Sequence, residues 1–549
     1  MLVPQGMAYA MLAGLPPVVG LYAALVPILI YAVLGSSRQL AVGPMALISL
    51  IVADGLTGMA APRSEHYVEL AAITAGLTGL CLVGFGLARL GFLTDFVAGP
   101  VLTGFTGAAG VLIAASQVGP LVGVELADTS TVQALVASFV GVGGEIHLLT
   151  AVVGLASVVV LVLLGRYAPK VPRALVLVAV VTLAVFVFGW QDAGVAILGD
   201  IGGGLPELAV PTASGGEIIT LIPTALICAL VGFMESYAIM GTIARRHGYK
   251  VRPNQELVAL GSANVGGALF GGYPICGALS RTAVNDRAGA KGPLSGLFTA
   301  ALLAAVLMFM ADLLYFVPHL SLAAIIIVAA VGLVDIERMR FLFRVQRTDL
   351  AVLVATFVGT LALGIELGLV VGIGASIVKF IARAALPRVA TLVRLPDSDR
   401  YDSIKRHPEA EVTEGVSVQR VEGRIFFGNA DRVLRRVAEH AHEQRAHTLV
   451  LDASGVHTLD STSLHAVEDL VDRLEADNVR LVLARVSEPV AELLQRAGLI
   501  ERLGGMGVFH FVHEAVELSQ AAPPRVEDES ESEASADSEP ADPDELRAG

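Results

Sequence analysis

The chain has 549 residues, 54% of them hydrophobic and only 16% charged, with a mean hydropathy of +0.70. Soluble domains carry about 25% charged residues, so these values exclude an ordinary soluble protein. The net charge of −14 argues against nucleic-acid binding, and three cysteines (Cys81, Cys228 and Cys276, all in the apolar part) support neither a disulfide framework nor a metal site.

The acidity is unevenly placed. Residues 1–387 balance 19 acids with 19 bases, whereas residues 388–522 carry 22 acids against 16 bases and residues 523–549 carry 10 against 2. The apolar part predicts fourteen elements in chain order. A partial span at 1–16 is followed by 18–34, a short broken element at 39–53, then 67–90, 97–118, 148–165, 172–189, 218–241 and 255–270. A second short broken element at 273–290 precedes 294–316, 321–334, 349–364 and 366–383.

Basic residues orient these elements. Arg38, Arg89, Arg166/Lys170/Arg173, Arg245/Arg246/Lys250/Arg252, Arg287/Lys291, Arg338/Arg340/Arg344/Arg347 and Lys379/Arg383/Arg388 each follow an even-numbered element. The stretches 119–147 and 190–217 hold Glu125, Asp128, Glu145, Asp192, Asp200, Glu207 and Glu217 and no Lys or Arg. By the positive-inside rule, the even-numbered ends and the C-terminus are expected to be cytoplasmic.

The two broken elements occupy the third and tenth places. Each opens on an extended stretch, QLAV at 39–42 and YPIC at 273–276, and then starts a short helix near Pro44 or Ser280. Corresponding interrupted segments predict an inverted repeat of seven plus seven elements, with two helix N-termini meeting inside the membrane. Their free N–H groups and partial positive charge favour an anion, and Arg281 adds a full charge. The alternative is that these glycines and prolines only permit close helix packing. Glu235, inside ICALVGFMESYAIMG, is the other outlier. Low dielectric disfavours a charged carboxylate, so this side chain is a candidate proton carrier coupled to transport. A salt bridge to Arg281 or an internal hydrogen bond is the alternative.

Five long segments carry a family resemblance. They are VPQGMAYAMLAGLPPVVGLYAALVP at 3–27, GSSRQLAVGPMALISL at 35–50, GFMESYAIMG at 232–241, PNQELVALGSANVGGALFGGYP at 253–274 and GALSRTAVNDRAGAKGPLSG at 277–296. In these the chain resembles the SulP sulfate-permease family. The resemblance implies a polytopic α-helical membrane protein with the uracil-permease-like 7+7 inverted repeat, divided into a core and a gate. It also implies elevator movement and a homodimer. Family positions at the anion site fall on Gln5, Tyr9, Met45, Leu279, Ser280 and Arg281, with Glu235 as the proton-coupling position. Sodium-coupled bicarbonate members carry Asp at the Glu235 position and a hydroxyl residue one turn on; here that later residue is Ile239, which favours protons. Family members have an amphipathic segment and half a helix before VPQG, so a shortened first helix is expected where Met1 lies two residues ahead of it.

The transport domain is expected to span 1–387, followed by a polar linker at 388–411. From 412 to 520 the pattern is α/β. VSVQRVEGRIFFG reads as two strands joined by a tight turn, and strands HTLVLDASG and VRLVLARV alternate with helices. LVLDASGVHTLDSTSL at 449–464 resembles a STAS domain, which implies that Ser461 is a candidate phosphorylation site. The alternative is that Asp460, Ser461 and Thr462 cap the following helix. His440 and His442 lie two apart on a helix and do not share a face, so they do not form a metal pair. The tail 521–549 is acidic, without apolar anchors, and is expected to be disordered.

No P-loop, HExxH or GxSxG motif occurs, so an enzyme has no support and no cofactor or metal is implied. The leading reading is secondary active transport of a small anion in the cell membrane, by proton symport or exchange. Sulfate leads because it is the commonest family assignment, followed by bicarbonate and dicarboxylates. A nucleobase permease fits the fold but not the fixed cation of Arg281. An anion-binding sensor signalling through STAS is the reading from another class. Expected partners are the anion, protons, the lipid bilayer, a second copy of the chain and a cytoplasmic regulator of STAS.

Overall fold

The computed structural model describes residues 1–95, 99–124, 126, 131–141, 146–168, 171–200, 202–292, 294–410, 412–503 and 507–521. Glu125, Asp128, Glu145 and Lys170, and the acidic tail from residue 522, lie outside these residues. The chain forms two compact units, Met1–Ile377 and Val378–Gly549.

The first unit is helical. α1 (Leu2–Leu12) and α2 (Pro17–Leu34) are joined through Gly14, and Pro17 opens α2, where its missing N–H costs nothing. Strand β1 (Val42–Gly43) leads into the short α3 (Ala46–Gly55). Next come α4 (Glu65–Leu87), α5 (Gly99–Ser116), α6 (Val118–Val122), α7 (Val132–Gly141), α8 (Leu148–Tyr167) and α9 (Arg173–Phe188). The long α10 (Gly215–His247) and α11 (Pro253–Ala268) follow. Strand β2 (Cys276–Gly277) leads into the short α12 (Leu279–Arg287). α13 (Leu294–Phe309), α14 (His319–Val331), α15 (Ile336–Val345) and α16 (Arg347–Leu363) follow, and α17 (Ile365–Ala385) begins in this unit.

Among the described residues seven helical stretches are long and apolar enough to cross a membrane, and three shorter apolar helices, α3, α9 and α13, accompany them. α8 and α9 expose Val159, Leu163, Leu183 and Phe186, side chains at home in hydrocarbon. Each of the fourteen expected elements contains a helix. α6, α7 and α15 are additional. α15 was legible only as a basic cluster, because Asp335 caps it at Arg338 N while Leu342 alone is fully buried.

The helices fall into two packed groups. In one, α11 lies against α4 and α2, α10 against α4 and α3, and α1 and α13 against α2. In the other, α5 packs on α16 and α14, and α14 on α8. Gly372 of α17 lies directly on Thr356 of α16, and a Cβ there would come 2.5 Å from its hydroxyl. The groups meet where α1 packs on α14 and α3 on α5. Close approach is obligatory at Gly20: a Cβ there would overlap the Gly6 carbonyl of α1, so larger residues at this crossing would push α1 outward.

The second unit is an α/β layer. Strands β3 (Arg388–Arg394), β4 (Tyr401–Ser403), β5 (Val416–Glu422), β6 (Thr448–Asp452), β7 (Arg480–Ala484) and β8 (Val508–Phe509) form one sheet in the order β4-β3-β5-β6-β7-β8. β5 to β8 run parallel, and β3 is antiparallel to both its neighbours. Leu449, Leu451, Leu481 and Leu483 face α18 (Ala430–Glu443), α19 (Ser461–Ala476) and α20 (Glu488–Arg496). The alternate residues Val450 and Val482 face α22 (Val512–Ala521), which follows the short α21 (Leu499–Arg502). This period-two division is what a sheet covered on both faces requires.

Two expectations need correction here. The stretch 388–411 is not simply a linker, because it supplies β3 and β4. RIFFG is not a strand either. The pairing edge of β5 is taken by β3, with Arg388 opposite Glu422 and Thr391 opposite Gln419. After Gly423 (φ +153) the chain turns away, and Asn429 pins it by accepting from Phe426 N and donating to Arg424 O.

Candidate functional site

The centre of the first unit is built by the pairing of the two broken elements. β1 and β2 are antiparallel, with Val42 opposite Gly277 and Gly43 opposite Cys276. The pair is extended by Ala278 N donating to Ala41 O, and by Ala41 N donating to Thr282 Oγ1. β2 is anchored from behind. Asn264 of α11 bonds both polar groups of Ile275, and Ser236 of α10 accepts from Gly277 N.

Each strand hands over to a helix without a side-chain cap. Met45 is the N-cap of α3 and Ala278 that of α12, both in extended conformation. Neither side chain can accept from a first-turn N–H, so those donors have no partner inside their own helix. Arg281 is the third residue of α12 and is 7% exposed. Its Nη1 donates to Pro44 O across the strand pair at 2.8 Å, while Nε and Nη2 are buried without a partner among the described residues. A guanidinium with unmatched buried donors is costly unless something that accepts hydrogen bonds joins it. Gly43 leaves room for it, since a Cβ there would lie 3.3 Å from Nη2.

The other expected residues divide. Gln5 and Tyr9 lie one turn apart on α1, both buried, and Gln5 Oε1 has no hydrogen-bond partner among the described residues. Tyr9, Tyr273 and Cys276 stand within electrostatic reach of Arg281. Met45 is buried, with Sδ 3.3 Å from Cys276 Sγ. Leu279 and Ser280 are exposed at the start of α12, Leu279 to 62%. Glu235 is half-buried on α10 beside Cys276, and no ion pair or hydrogen bond joins it to a described residue. The considered salt bridge to Arg281 is therefore not formed; the bonded guanidinium nitrogen serves Pro44 instead. Ile239, one turn on from Glu235, is buried.

Tyr273, Ser49 and Cys276 were missed from the sequence. Tyr273 and Ser49 share a 2.9 Å hydrogen bond between their hydroxyls. A polar pair split between positions 49 and 273 is invisible until the repeat brings them together. Beside Arg281 a cavity of about 340 Å³ is lined by Arg38, Asn285, Ser295 and Thr299 among others.

In the second unit Asp460 is the N-cap of α19. Its Oδ1 accepts from Ser463 Oγ and N, and its Oδ2 from Phe427 N. Chiefly the Ser463 hydroxyl, and then these backbone donors, hold its carboxyl below the usual carboxylate range. Ser461 is exposed in the first turn and makes no cap bond, so capping falls to Asp460 and leaves Ser461 without that duty. Nearby, Arg485 forks onto buried Asp452 at 3.0 and 2.7 Å and reaches Ser454.

Comparison with known proteins gives concordant matches. The sulfate permease family matches residues 1–356, and the STAS domain matches residues 407–515. Sulfate transporter 4.1, chloroplastic, of Arabidopsis thaliana is 35% identical over 94% of this chain and 78% of that protein. A probable sulfate transporter of Mycobacterium tuberculosis is 33% identical, covering 94% of this chain and 92% of that protein. The structure of murine Solute Carrier 26 family member A9, an anion transporter in the inward-facing state, superposes with a TM-score of 0.84 at 26% identity. It covers 95% of this chain and 89% of that one.

Proposed function

The chain belongs to the sulfate permease family, and from that premise we propose that it carries sulfate inward with protons, using Arg281 and the two uncapped helix starts as the anion site. It is a multi-pass membrane transporter of anions with a C-terminal STAS domain. The observation that carries the finer reading is Arg281, whose Nε and Nη2 lie buried without an acceptor among the described residues where α3 and α12 begin. A tetrahedral dianion offers four acceptor oxygens. Two guanidinium donors, first-turn N–H groups and the hydroxyl of Ser280 suit it. Gln5, Tyr9, Met45 and Leu279 are assigned to the same site by family resemblance. The sulfate transporters among its relatives support this anion over bicarbonate or a dicarboxylate.

Glu235 is the proton carrier in this reading. It stands beside β2 without a fixed partner among the described residues, so it can gain or lose a proton without breaking a structural bond to any of them. The separate packing of the two helix groups supports an elevator mechanism, in which α1–α4 and α10–α13 carry the site past the rest. We assign the protein to the cell membrane as a homodimer with a cytoplasmic C-terminus, on the distribution of basic residues and on family. Ser461, exposed and free of capping, remains the regulatory candidate. Labelled sulfate uptake into proteoliposomes, with and without an inward proton gradient, tests the proposal. Saturable uptake stimulated by the gradient is expected without any partner protein. Binding without flux would favour a sensor, and entry of bicarbonate or fumarate in place of sulfate would overturn the substrate.

A further inference from the structure

Glu256, the fourth residue of α11, has no exposed surface. Removing a carboxylate from water is unfavourable unless other donors replace the solvent. No cation does so here among the described residues. Its Oε1 accepts from Ser36 N at 2.6 Å, Ser36 Oγ at 2.7 Å and Ser37 N at 2.8 Å, and its Oε2 accepts from Tyr31 O–H at 2.8 Å. Two of these donors are consecutive backbone N–H groups, an anion-binding concavity filled by the protein's own side chain. Neighbouring residues clamp the adjoining backbone. Gln255 Nε2 donates to Leu34 O, Asn254 Oδ1 accepts from Gly91 N, and Arg252 N donates to Ser36 Oγ.

The held loop runs directly into the site. Tyr249 O–H donates to Gln39 Oε1, Gln39 Nε2 donates to Ala290 O, and Asn285 Nδ2 donates to Gln39 O. β1 follows, and then Pro44, whose carbonyl holds Arg281. We propose that Glu256 is the positioning residue of the anion site: it fixes the 36–39 loop, and through β1 it sets the carbonyl that aims the Arg281 guanidinium. The inference rests on the anion-site reading above. Glu256 does not touch the anion, so its loss acts on how well the anion is held rather than on the rate of carrying it.

The test is sulfate uptake by the full chain in proteoliposomes, with KM and Vmax expressed per folded transporter. Glu256→Gln keeps the shape but turns one acceptor into a donor facing donors. It is expected to raise KM about tenfold and leave Vmax within about twofold, and Glu256→Asp is expected to recover part of the affinity. A KM unchanged in Glu256→Gln, or a fall in Vmax alone, would overturn the proposal. If that variant is not recovered folded, Ser36→Ala decides, because both backbone donors remain. An increase in KM of about threefold is expected, and an unchanged KM overturns the role. Arg281→Ala, measured in parallel, separates the two levels. An unchanged KM there refutes the anion site itself. A raised KM there, with none in the Glu256 and Ser36 variants, refutes only the positioning role.

Discussion

Two carboxylates on consecutive helices have opposite surroundings. Glu235 on α10 stands beside β2 with no bonding partner among the described residues, whereas Glu256 on α11 is bonded by four donors. Both lie close to the paired broken elements, Glu235 inside α10 and Glu256 in the first turn of α11, and they differ in their partners. A carboxylate whose oxygens are all engaged is an anchor, because protonating it would break the bonds that hold a loop. A carboxylate with none can take up a proton at no structural cost, which is what a coupling site requires.

Exchanging the two roles by mutation gives the sharpest contrast. The largest effect is expected from Glu235→Gln, which should abolish accumulation driven by a proton gradient while exchange of sulfate down its own gradient persists. Retention of gradient-driven uptake would place the coupling elsewhere. Next is stability. Glu256→Gln should cost about 2–4 kcal/mol, since hydrogen bonds to a charged group are each worth about 1.5–3 kcal/mol and some survive. Glu235→Gln should leave the melting temperature unchanged, and thermal unfolding in detergent measures both. Gly20→Ala should follow, lowering the amount of folded protein through the overlap with Gly6; size-exclusion profiles report it.

The smallest effect is expected in the second unit, at Asp460. Its carboxyl is held below the usual range by Ser463 and Phe427. Its contribution is therefore present above the unfolded-state value and is lost as pH falls through the lower folded value. Thermal melts from about pH 6 to about pH 3 should show Asp460→Ala converging with the parent chain at the acid end. A constant difference across that range would assign the effect to packing.

Much of this was legible in the chain because a bilayer imposes simple rules. Long apolar runs, basic clusters at alternate ends and two Gly- and Pro-rich interruptions mark the membrane unit without any tertiary knowledge. Arg281 was legible as a charge in an interrupted apolar segment, Gln5, Tyr9 and Met45 were reached by family resemblance, and the structure seats all four as buried side chains. Pairing across long separations was not legible. The Glu256 anchor joins residues some 220 apart in sequence, and the Tyr273–Ser49 bond depends on the same convergence. The edge of the C-terminal sheet was misread for a related reason. RVATLVR at 388–394 is rich in β-formers but sits among charges, and only competition for the free edge of β5 shows that it, rather than RIFFG, is the partner.

Sulfate binding to the purified protein, measured calorimetrically for the parent chain, Arg281→Lys and Arg281→Ala, tests the central claim most directly. Alanine is expected to weaken binding by about 100-fold or more. Lysine should recover only part of this, because a point charge cannot reproduce the planar fork. Affinity undiminished in Arg281→Ala would contradict an anion site built on the two helix starts.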